Sequence, residues 1–258
     1  MITLHRRGAG KPLLMIHGLG GHWQSWEPIV PALTQSRELL LFDLPGHGTS
    51  AAEASSGTFA GLVESVERMI EREGLRGIDL VGSSLGARIA LELARRGGTG
   101  AVVALDPGGF WEGWERAFFK STIGASVALL RAIRGALPAI SANVVTRTAL
   151  LAQLSARPWA LDPRSTASEL DAYASTPTFD ALYKDLATGP SQSGPAAADS
   201  GPVTIGWGRH DRLCLPRQAN RAMAAFPAAR LHWFEHSGHF PHWDEPEATV
   251  RLILEATD

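Results

Sequence analysis

The sequence contains a single cysteine, Cys214, among its 258 residues. A lone cysteine excludes an internal disulfide and a thiolate metal cluster, and we expect Cys214 to be a buried small apolar residue. An excess of positive charge is also lacking, because 24 Lys and Arg residues stand against 26 Asp and Glu residues. Without such an excess, the chain has no electrostatic means of holding nucleic acid or anionic lipid. We therefore expect a small-molecule substrate and no polyanionic partner.

Long hydrophobic runs are missing as well. Residues 1–11 lack the apolar stretch of a signal peptide. No segment reaches the roughly 18 consecutive apolar residues that a membrane span requires. We therefore expect a cytoplasmic protein that does not enter a membrane. The length of 258 residues allows one large domain or two small ones, and we favour one.

The first half of the sequence alternates short apolar runs with longer helical stretches. Runs such as Leu-Leu-Met-Ile at 13–16 predict strands that are buried on both faces. The apolar spacing over 58–72 predicts an amphipathic helix, and a more uniformly apolar helix follows at 84–96. The pattern indicates an α/β fold with a mostly parallel sheet flanked by helices. Strands are predicted at 2–5, 12–17, 38–43, 77–81, 101–106, 202–207 and 230–234.

The middle of the chain breaks this alternation. From about Phe110 to Leu186 the pattern is helical and contains no convincing strand, which predicts an inserted helical cap. Residues 188–202 are rich in Gly, Ser, Pro and Ala and predict a flexible connection back to the sheet. We therefore expect a core of residues 1–109 and 200–258, with cap and connection at 110–199. The cap helices are predicted at 114–137 (with a possible break), 139–156, 163–174 and 178–186.

A candidate nucleophile lies in the pentapeptide Gly-Ser-Ser-Leu-Gly at 82–86, whose central residue is Ser84. The pentapeptide follows an apolar strand and opens a helix. In this setting, small flanking residues allow a serine to sit exposed in a strained turn. A serine hydroxyl attacks a carbonyl only when a base removes its proton, so a histidine and an orienting acid are also required. The alternative is a helix N-cap serine without catalytic chemistry.

A second turn, His-Gly-Leu-Gly-Gly at 17–21, follows another buried strand. Its glycines allow the backbone to aim an N–H group at a developing oxyanion. The predicted donors are the backbone N–H groups of Leu19 and Leu85, the latter at a helix N-terminus where negative charge is favoured. We expect His17 itself to form structural hydrogen bonds rather than act as the base.

Five ordered motifs together resemble the α/β-hydrolase superfamily over nearly the whole chain. The resemblance implies that the acid follows the strand ending at Trp207 and that the base follows the last strand, which assigns Asp211 and His239. The chain order Ser, Asp, His also agrees with this fold. Asp106 is the alternative acid, because some members place the acid after the strand that it ends. The motifs are the turn at 17–21, Asp43-Leu44-Pro45-Gly46-His47-Gly48, the Ser84 turn, Gly208-Arg209-His210-Asp211 and Ser237-Gly238-His239.

No metal or other cofactor is expected. The spacing of His236, His239 and His242 could suggest a metal site, but it lacks the nearby carboxylate pattern of known ligand motifs. The resemblance and the serine nucleophile favour hydrolysis of a small to medium carboxylic ester, thioester or lactone through an acyl-enzyme. Three alternatives stay open: a carbon–carbon bond hydrolase, an elimination like that of the menaquinone-pathway synthase of this fold, and a non-hydrolytic ligand receptor.

Four residues are candidates for substrate binding. Trp23, Trp111 and Trp114 would line an apolar pocket or, alternatively, pack where the cap joins the core. Arg88 lies four residues after Ser84, one helical turn along the same face. Its guanidinium would either bind a substrate carboxylate or pair with a neighbouring protein group.

Overall fold

The structure, a computed structural model, describes residues 2–258. Within this range, seven strands form one sheet in the order β1-β3-β2-β4-β5-β6-β7. All neighbouring strands are parallel except β1, which runs antiparallel to β3. The predicted α/β fold with a mostly parallel sheet is confirmed. The strands are β1 (His5–Arg7), β2 (Lys11–Ile16), β3 (Arg37–Leu41), β4 (Asp79–Ser83), β5 (Val102–Leu105), β6 (Val203–Gly208) and β7 (Arg230–Phe234).

Eleven α-helices occur in the described chain. Three short 3-10 helices accompany them, at Trp23–Trp26, Arg134–Ala136 and Pro158–Ala160. The α-helices are α1 (Val30–Leu33), α2 (Phe59–Arg72), α3 (Leu85–Arg96), α4 (Trp114–Ala132), α5 (Leu137–Ala142), α6 (Val144–Leu151), α7 (Pro163–Ser175), α8 (Phe179–Thr188), α9 (Gln218–Ala225), α10 (Pro241–Asp244) and α11 (Pro246–Thr257).

Different helices cover the two faces of the sheet, because neighbouring residues of a strand point in opposite directions. On β2, Leu14 and Ile16 belong to the core cluster of one face, to which α2, α3 and α9 also contribute apolar side chains. Leu13 and Met15 pack with α1 and α11 on the other face. The strands β4, β5 and β6 are buried along their whole length. This burial on both faces explains the unbroken apolar runs of the sequence.

The N-terminal strand differs from its prediction at 2–5. Strand β1 spans His5–Arg7, because Gly8 and Gly10 turn the chain back into β2 with φ values of 80° and 123° that favour glycine. Ile2 packs instead into the core on the α2 side, and its carbonyl accepts a hydrogen bond from Arg72 Nη2 at 3.1 Å. The bounds of the other six strands lie within two residues of the predicted ones.

The chain leaves the sheet after β5 and returns to it at β6, and α4–α8 lie between these strands. The predicted helix 114–137 ends at Ala132. The predicted helix 139–156 is two helices, because Asn143 has an extended backbone and its side chain caps α6 by accepting the N–H groups of Val145 and Thr146. A separate apolar cluster packs these helices together, formed by Leu130, Leu137, Leu151, Leu170, Tyr173 and Ala174.

The segment that connects α8 to β6 is tied to the core, although its composition predicts flexibility. Gln192 N–H donates to Gly109 O at 2.8 Å, and Ala197 N–H donates to Ala94 O at 2.9 Å. In residues 2–258, no single helix is long and apolar enough to cross a membrane. A helix pair with a 71° bend, Trp114–Ala132 and Arg134–Ala142, meets the length and composition requirements only when its two parts are joined.

Candidate active site

Ser84 occupies a strained turn between β4 and α3. Its φ of 54° and ψ of −109° lie in a region that residues with side chains rarely adopt. The flanking glycines are required by close backbone contacts, because a Cβ atom on Gly82 would collide with Gly86 O and one on Gly86 would collide with Ile16 O. The side chain of Ser84 makes no N-cap hydrogen bond to α3. The geometry therefore does not support the alternative interpretation of Ser84 as a simple N-cap.

The three residues of the predicted triad lie in hydrogen-bonding contact. His239 Nε2 lies 2.8 Å from Ser84 Oγ, and His239 Nδ1 lies 2.7 Å from Asp211 Oδ2. Because a carboxylate only accepts, Nδ1 carries the proton and Nε2 is free to accept the serine proton. The other oxygen of Asp211, Oδ1, accepts the backbone N–H groups of Leu213 at 2.7 Å and Cys214 at 3.0 Å. These bonds fix the direction in which the carboxylate faces the imidazole.

Asp106, the alternative acid, lies behind Asp211 rather than beside the imidazole. It directly follows β5, has a φ of 46°, and its Oδ1 accepts the N–H of Gly208 at 2.8 Å. Complete burial and, next in size, the charge of Asp211 raise the pKa of Asp106 well above its ordinary value. The carboxylate that bonds to His239 is therefore that of Asp211.

The two predicted oxyanion donors, the backbone N–H groups of Leu19 and Leu85, belong to the chain segments that adjoin Ser84. Leu85 is the first residue of α3, so its N–H has no acceptor within the helix. Leu19 follows β2 on a loop that passes directly beside Ser84, because a Cβ atom on Gly18 would lie 3.4 Å from Ser84 Cβ. Both residues are therefore kept as candidates for the oxyanion donors.

His17 holds the loop that carries Leu19. Its Nε2 accepts the N–H of Leu44 at 2.9 Å, so Nδ1 carries the proton and donates to Gly18 O at 2.8 Å. Burial lowers the pKa of His17 to about 4, which keeps the ring neutral near pH 7. His17 is thus placed as a structural hydrogen-bonding residue, as its position in the sequence predicts.

A narrow cavity of about 80 Å³ opens beside Ser84 and His239. Four apolar side chains from one face of α4 form one wall, and further apolar side chains from α7, α8 and the core close it. Its polar lining residues besides the predicted catalytic pair are Ser126, Gln153 and Tyr173, and within the described chain no Asp, Glu, Lys or Arg borders it. The α4 wall consists of Phe119, Ile123, Val127 and Leu130.

The three tryptophans predicted to bind substrate lie away from this cavity. Trp111 is buried and packs on Phe119, with the ring centres 4.6 Å apart. Trp114 is 58% exposed, and the Arg217 guanidinium lies 4.7 Å from its ring centre. Trp23 lies near the β1 edge of the sheet, where the His5 ring stacks on it with the ring centres 4.8 Å apart. The expectation that these three tryptophans bind substrate is therefore corrected, because none of them borders the cavity.

Arg88 also faces away from the cavity. Its side chain is buried, and Nη2 donates to Pro190 O at 2.7 Å while Nε donates to Gln192 Oε1 at 3.4 Å. The guanidinium lies over the Phe59 ring at 4.1 Å. Burial lowers the pKa of Arg88 to about 10, so it remains charged near pH 7. This placement agrees with pairing to protein groups and corrects the expectation that Arg88 binds substrate.

Two sets of functional positions are absent from the sequence-based predictions. The wall on α4 follows helical spacing, so the pattern of 119–130 indicates an apolar helix face, although it does not show that this face meets Ser84. Asp244 gives no comparable signal. Its Oδ2 accepts the N–H of Gly238 at 2.7 Å and of Ala156 at 2.8 Å, which joins the loop of His239 to the chain after α6. Only the folded structure brings these three segments together.

The strand order and the strand-to-helix turn at Ser84 define the class of α/β-hydrolase folds. The chain belongs to the alpha/beta hydrolase family, because the model of that family matches residues 13–252. The resemblance seen in the motifs and the expected enzyme class are therefore confirmed.

Individual relatives cover nearly the whole chain. It is 26% identical over 274 residues to a Burkholderia cepacia 2-hydroxy-6-oxo-6-phenylhexa-2,4-dienoate hydrolase, covering 98% of this chain and 90% of the relative. A Thermogutta terrifontis esterase structure matches with a TM-score of 0.76 and 19% identity, covering 98% and 92% of the two chains. The enol-lactonase structure from Burkholderia xenovorans LB400 matches with a TM-score of 0.74 and 18% identity, covering 98% and 95%. The two structural matches show the shared fold.

Proposed function

We propose that the protein hydrolyses a neutral carboxylic ester, thioester or lactone with an apolar acyl group, through an acyl-enzyme on Ser84. The observation that carries this proposal is the apolar cavity beside Ser84, which no charged side chain borders within residues 2–258. A charged substrate would leave its charge unpaired there, at a considerable desolvation cost. A neutral acyl group gains free energy by burial instead.

The proposed reaction begins when His239 Nε2 takes the proton of Ser84 Oγ, which lies 2.8 Å away. The serine oxygen attacks the substrate carbonyl, and the N–H groups of Leu19 and Leu85 stabilise the oxyanion of the tetrahedral intermediate. Asp211 holds the imidazole in the required tautomer and stabilises the imidazolium that forms. His239 then gives the proton to the leaving alcohol or thiol.

Deacylation repeats these steps with water as the nucleophile. His239 removes a proton from the water, which attacks the acyl carbonyl of Ser84. The second tetrahedral intermediate uses the same two backbone donors. When it collapses, His239 returns its proton to Ser84 Oγ and the carboxylic acid is released. The cycle consumes one water molecule and requires no other reactant.

Cavity size favours short to medium acyl groups. A volume of about 80 Å³ is several times the roughly 10–15 Å³ that a cavity needs to hold one water molecule. Each buried methylene contributes about 0.8 kcal/mol of binding free energy. We therefore expect kcat/KM to rise with the first added methylenes and to fall once the acyl group exceeds the space below α4.

A carbon–carbon bond hydrolase is the second candidate, and the dienoate hydrolase of Burkholderia cepacia favours it. A dienoate carries a carboxylate, for which the cavity offers no cationic side chain among its lining residues. The bonds of Arg88 to Pro190 and Gln192 also weigh against recruiting that guanidinium. The same bonds weigh against an elimination on a carboxylated diene. We therefore place ester hydrolysis first.

Labelling with a fluorophosphonate, combined with a substrate panel, tests the proposal. We expect the wild type to be labelled and to hydrolyse p-nitrophenyl esters with short acyl chains faster than a 6-oxo-dienoate. Ser84→Ala should abolish both labelling and hydrolysis. Ser83→Ala is the matched control, because Ser83 precedes Ser84 and does not border the cavity.

Three results would contradict the proposal. Labelling that survives Ser84→Ala would show that another residue is the nucleophile. Absence of labelling in the wild type would favour a ligand receptor of the same fold. Faster turnover of the dienoate than of every ester would reverse the order of the two candidate reactions.

A further inference from the structure

A second buried carboxyl group lies directly behind the predicted triad. Asp106 follows β5 and Asp211 follows β6, and these two strands are hydrogen-bonded neighbours. Both residues are buried, with exposed fractions of 0% and 2%. Gly208 links the two residues, because its N–H donates to Asp106 Oδ1 at 2.8 Å and its carbonyl oxygen accepts the N–H of Asp211 at 3.2 Å. A side-chain contact with Asp211 also contributes to the raised pKa of Asp106. Two buried carboxyl groups therefore lie next to His239's partner position, whereas the proposed mechanism uses the carboxylate of Asp211 alone.

These two acids cannot both carry a negative charge without a large cost. Two carboxylates that share a buried site repel each other, so one of them retains a proton. Asp244 adds a further negative charge nearby, and the Cys214 thiol offers no compensating positive charge. The imidazole of His239 is the one group at this site that becomes cationic during the proposed reaction, and it bonds to Asp211.

The hydrogen bonds decide which acid keeps the proton. Asp211 accepts three N–H groups, from Leu213, Cys214 and His239. Asp106 accepts one, from Gly208, at its Oδ1. Because N–H donors stabilise the charged form of a carboxyl group, Asp211 is the better site for the charge. The remaining oxygen of Asp106, Oδ2, is buried and is not an acceptor for any N–H group of the described residues.

We propose that Asp106 is a neutral carboxylic acid whose O–H donates a hydrogen bond to the Asp211 carboxylate, and that it positions this carboxylate toward His239. The inference rests on the proposed function, because it takes Asp211 to be the acid of the triad. Asp106 makes no contact with the reacting atoms, so its role is a positioning one. The arrangement leaves one negative charge below the imidazole and gives the Asp211 carboxylate a fourth donor.

Burial and the Asp211 charge raise the pKa of Asp106 well above its ordinary value, in keeping with a neutral acid. The backbone at Asp106 also makes a clean substitution possible. Its φ of 46° lies in the left-handed region that asparagine tolerates well. In Asp106→Asn, the amide oxygen can accept the Gly208 N–H while the NH2 group donates to Asp211. The variant therefore keeps the hydrogen bonds and the zero charge of a protonated Asp106. It would not replace the negative charge of an ionised Asp106.

Infrared spectroscopy tests the protonation state without reference to activity. The difference spectrum of wild type minus Asp106→Asn at neutral pH should show the carbonyl stretch of a protonated carboxylic acid, sensitive to deuterium exchange. If this difference spectrum contains no such band, the proposal is wrong. This readout remains decisive even if the protein reacts with no ester, so failure of the proposed function is distinguishable.

The pH dependence of fluorophosphonate labelling tests the positioning role. The acid side of this profile reports protonation of the catalytic base. We expect Asp106→Asn to leave its midpoint unchanged, whereas loss of an ionised Asp106 would lower it by about one pH unit. Asp106→Ala removes the donor, and we expect labelling to slow by about tenfold with a normal circular dichroism spectrum. A lowered midpoint in the Asn variant, or wild-type labelling of a folded Ala variant, would overturn the proposal.

Discussion

The two sides of the cavity are built by different forces. On the core side, backbone hydrogen bonds fix each polar group: Asp211 Oδ1 accepts two N–H groups, and His17 ties the Gly18 loop to Leu44. The other side, which we call the cap side, is formed by helices inserted between β5 and β6. There, apolar side chains of α4 pack without directional bonds. Directional bonds tolerate little change, whereas apolar packing adapts when a side chain of similar size is exchanged. We therefore expect core substitutions to abolish the reaction and cap substitutions to alter substrate preference.

The largest effect should come from the nucleophile. Ser84→Ala removes the oxygen that forms the acyl-enzyme, and we expect kcat to fall by about 10⁶-fold, as in other serine hydrolases. Steady-state hydrolysis of p-nitrophenyl acetate measures this loss. Residual activity within tenfold of wild type would show that the core side of the cavity does not supply the nucleophile.

Asp211→Asn should have the next largest effect. The amide cannot stabilise the imidazolium and favours the wrong tautomer of His239, so we expect kcat to fall by about 10⁴-fold. Asp106→Asn is the matched comparison and should stay within about threefold of wild type, because its amide can keep the hydrogen bonds to Gly208 and to Asp211. The reverse order of the two losses would assign the acid to the end of β5.

The pH dependence of stability separates the two acids as well. Because folding raises the pKa of Asp106, the folded chain binds a proton that the unfolded chain releases above about pH 4. As the pH rises, the contribution of Asp106 to the free energy of unfolding therefore falls by about 1.4 kcal/mol per pH unit until the folded-state pKa of Asp106 is reached. Asp106→Asn should lose this contribution, which urea unfolding of both proteins at pH 5 and pH 7 would reveal. A difference between the two proteins that is independent of pH would contradict the raised pKa.

Enlarging the cap side should change acyl selectivity. Leu130→Ala removes a side chain that lines the cavity, and we expect the ratio of kcat/KM for longer over shorter acyl esters to rise by about tenfold. Leu129→Ala is the control, because Leu129 is 49% exposed on the same helix and does not border the cavity. Equal ratios in the two variants would show that α4 does not set acyl length.

Arg88→Met should have the smallest effect on activity. The guanidinium bonds to the segment after α8 and does not border the cavity, so kcat/KM for neutral esters should stay within about threefold of wild type. Parallel assays with carboxylated dienes are decisive for Arg88. A selective loss with these substrates would restore its role in anion recognition.

The core could be predicted closely from the sequence, for a physical reason. Its strands are buried on both faces, so their apolar runs are distinctive, and its turns need glycine at fixed positions such as 82 and 86. Such a turn predicted Ser84, and the family resemblance implied Asp211 and His239. The structure brings the three residues within hydrogen-bonding distance.

The cap could be predicted only as a set of helices. Apolar spacing identifies α4, but it does not tell which apolar face meets Ser84 and which packs elsewhere. Tryptophan content suggested the cavity wall, yet Trp111 and Trp114 pack against Phe119 and Arg217. Neither the turn of the chain at Asn143 nor the bonds of Asp244 to two distant segments follows from local patterns. These contacts depend on tertiary structure that the sequence spacing does not encode.

Trapping of the acyl-enzyme tests the central claim most directly. The protein is mixed with p-nitrophenyl acetate, quenched in acid within the first turnover and digested for mass spectrometry. We predict an added acetyl group on the peptide that contains Ser84, with fragmentation placing it on Ser84 rather than Ser83, and no adduct in Ser84→Ala. Rapid ester turnover with no covalent adduct, or an adduct that persists in Ser84→Ala, would contradict the account.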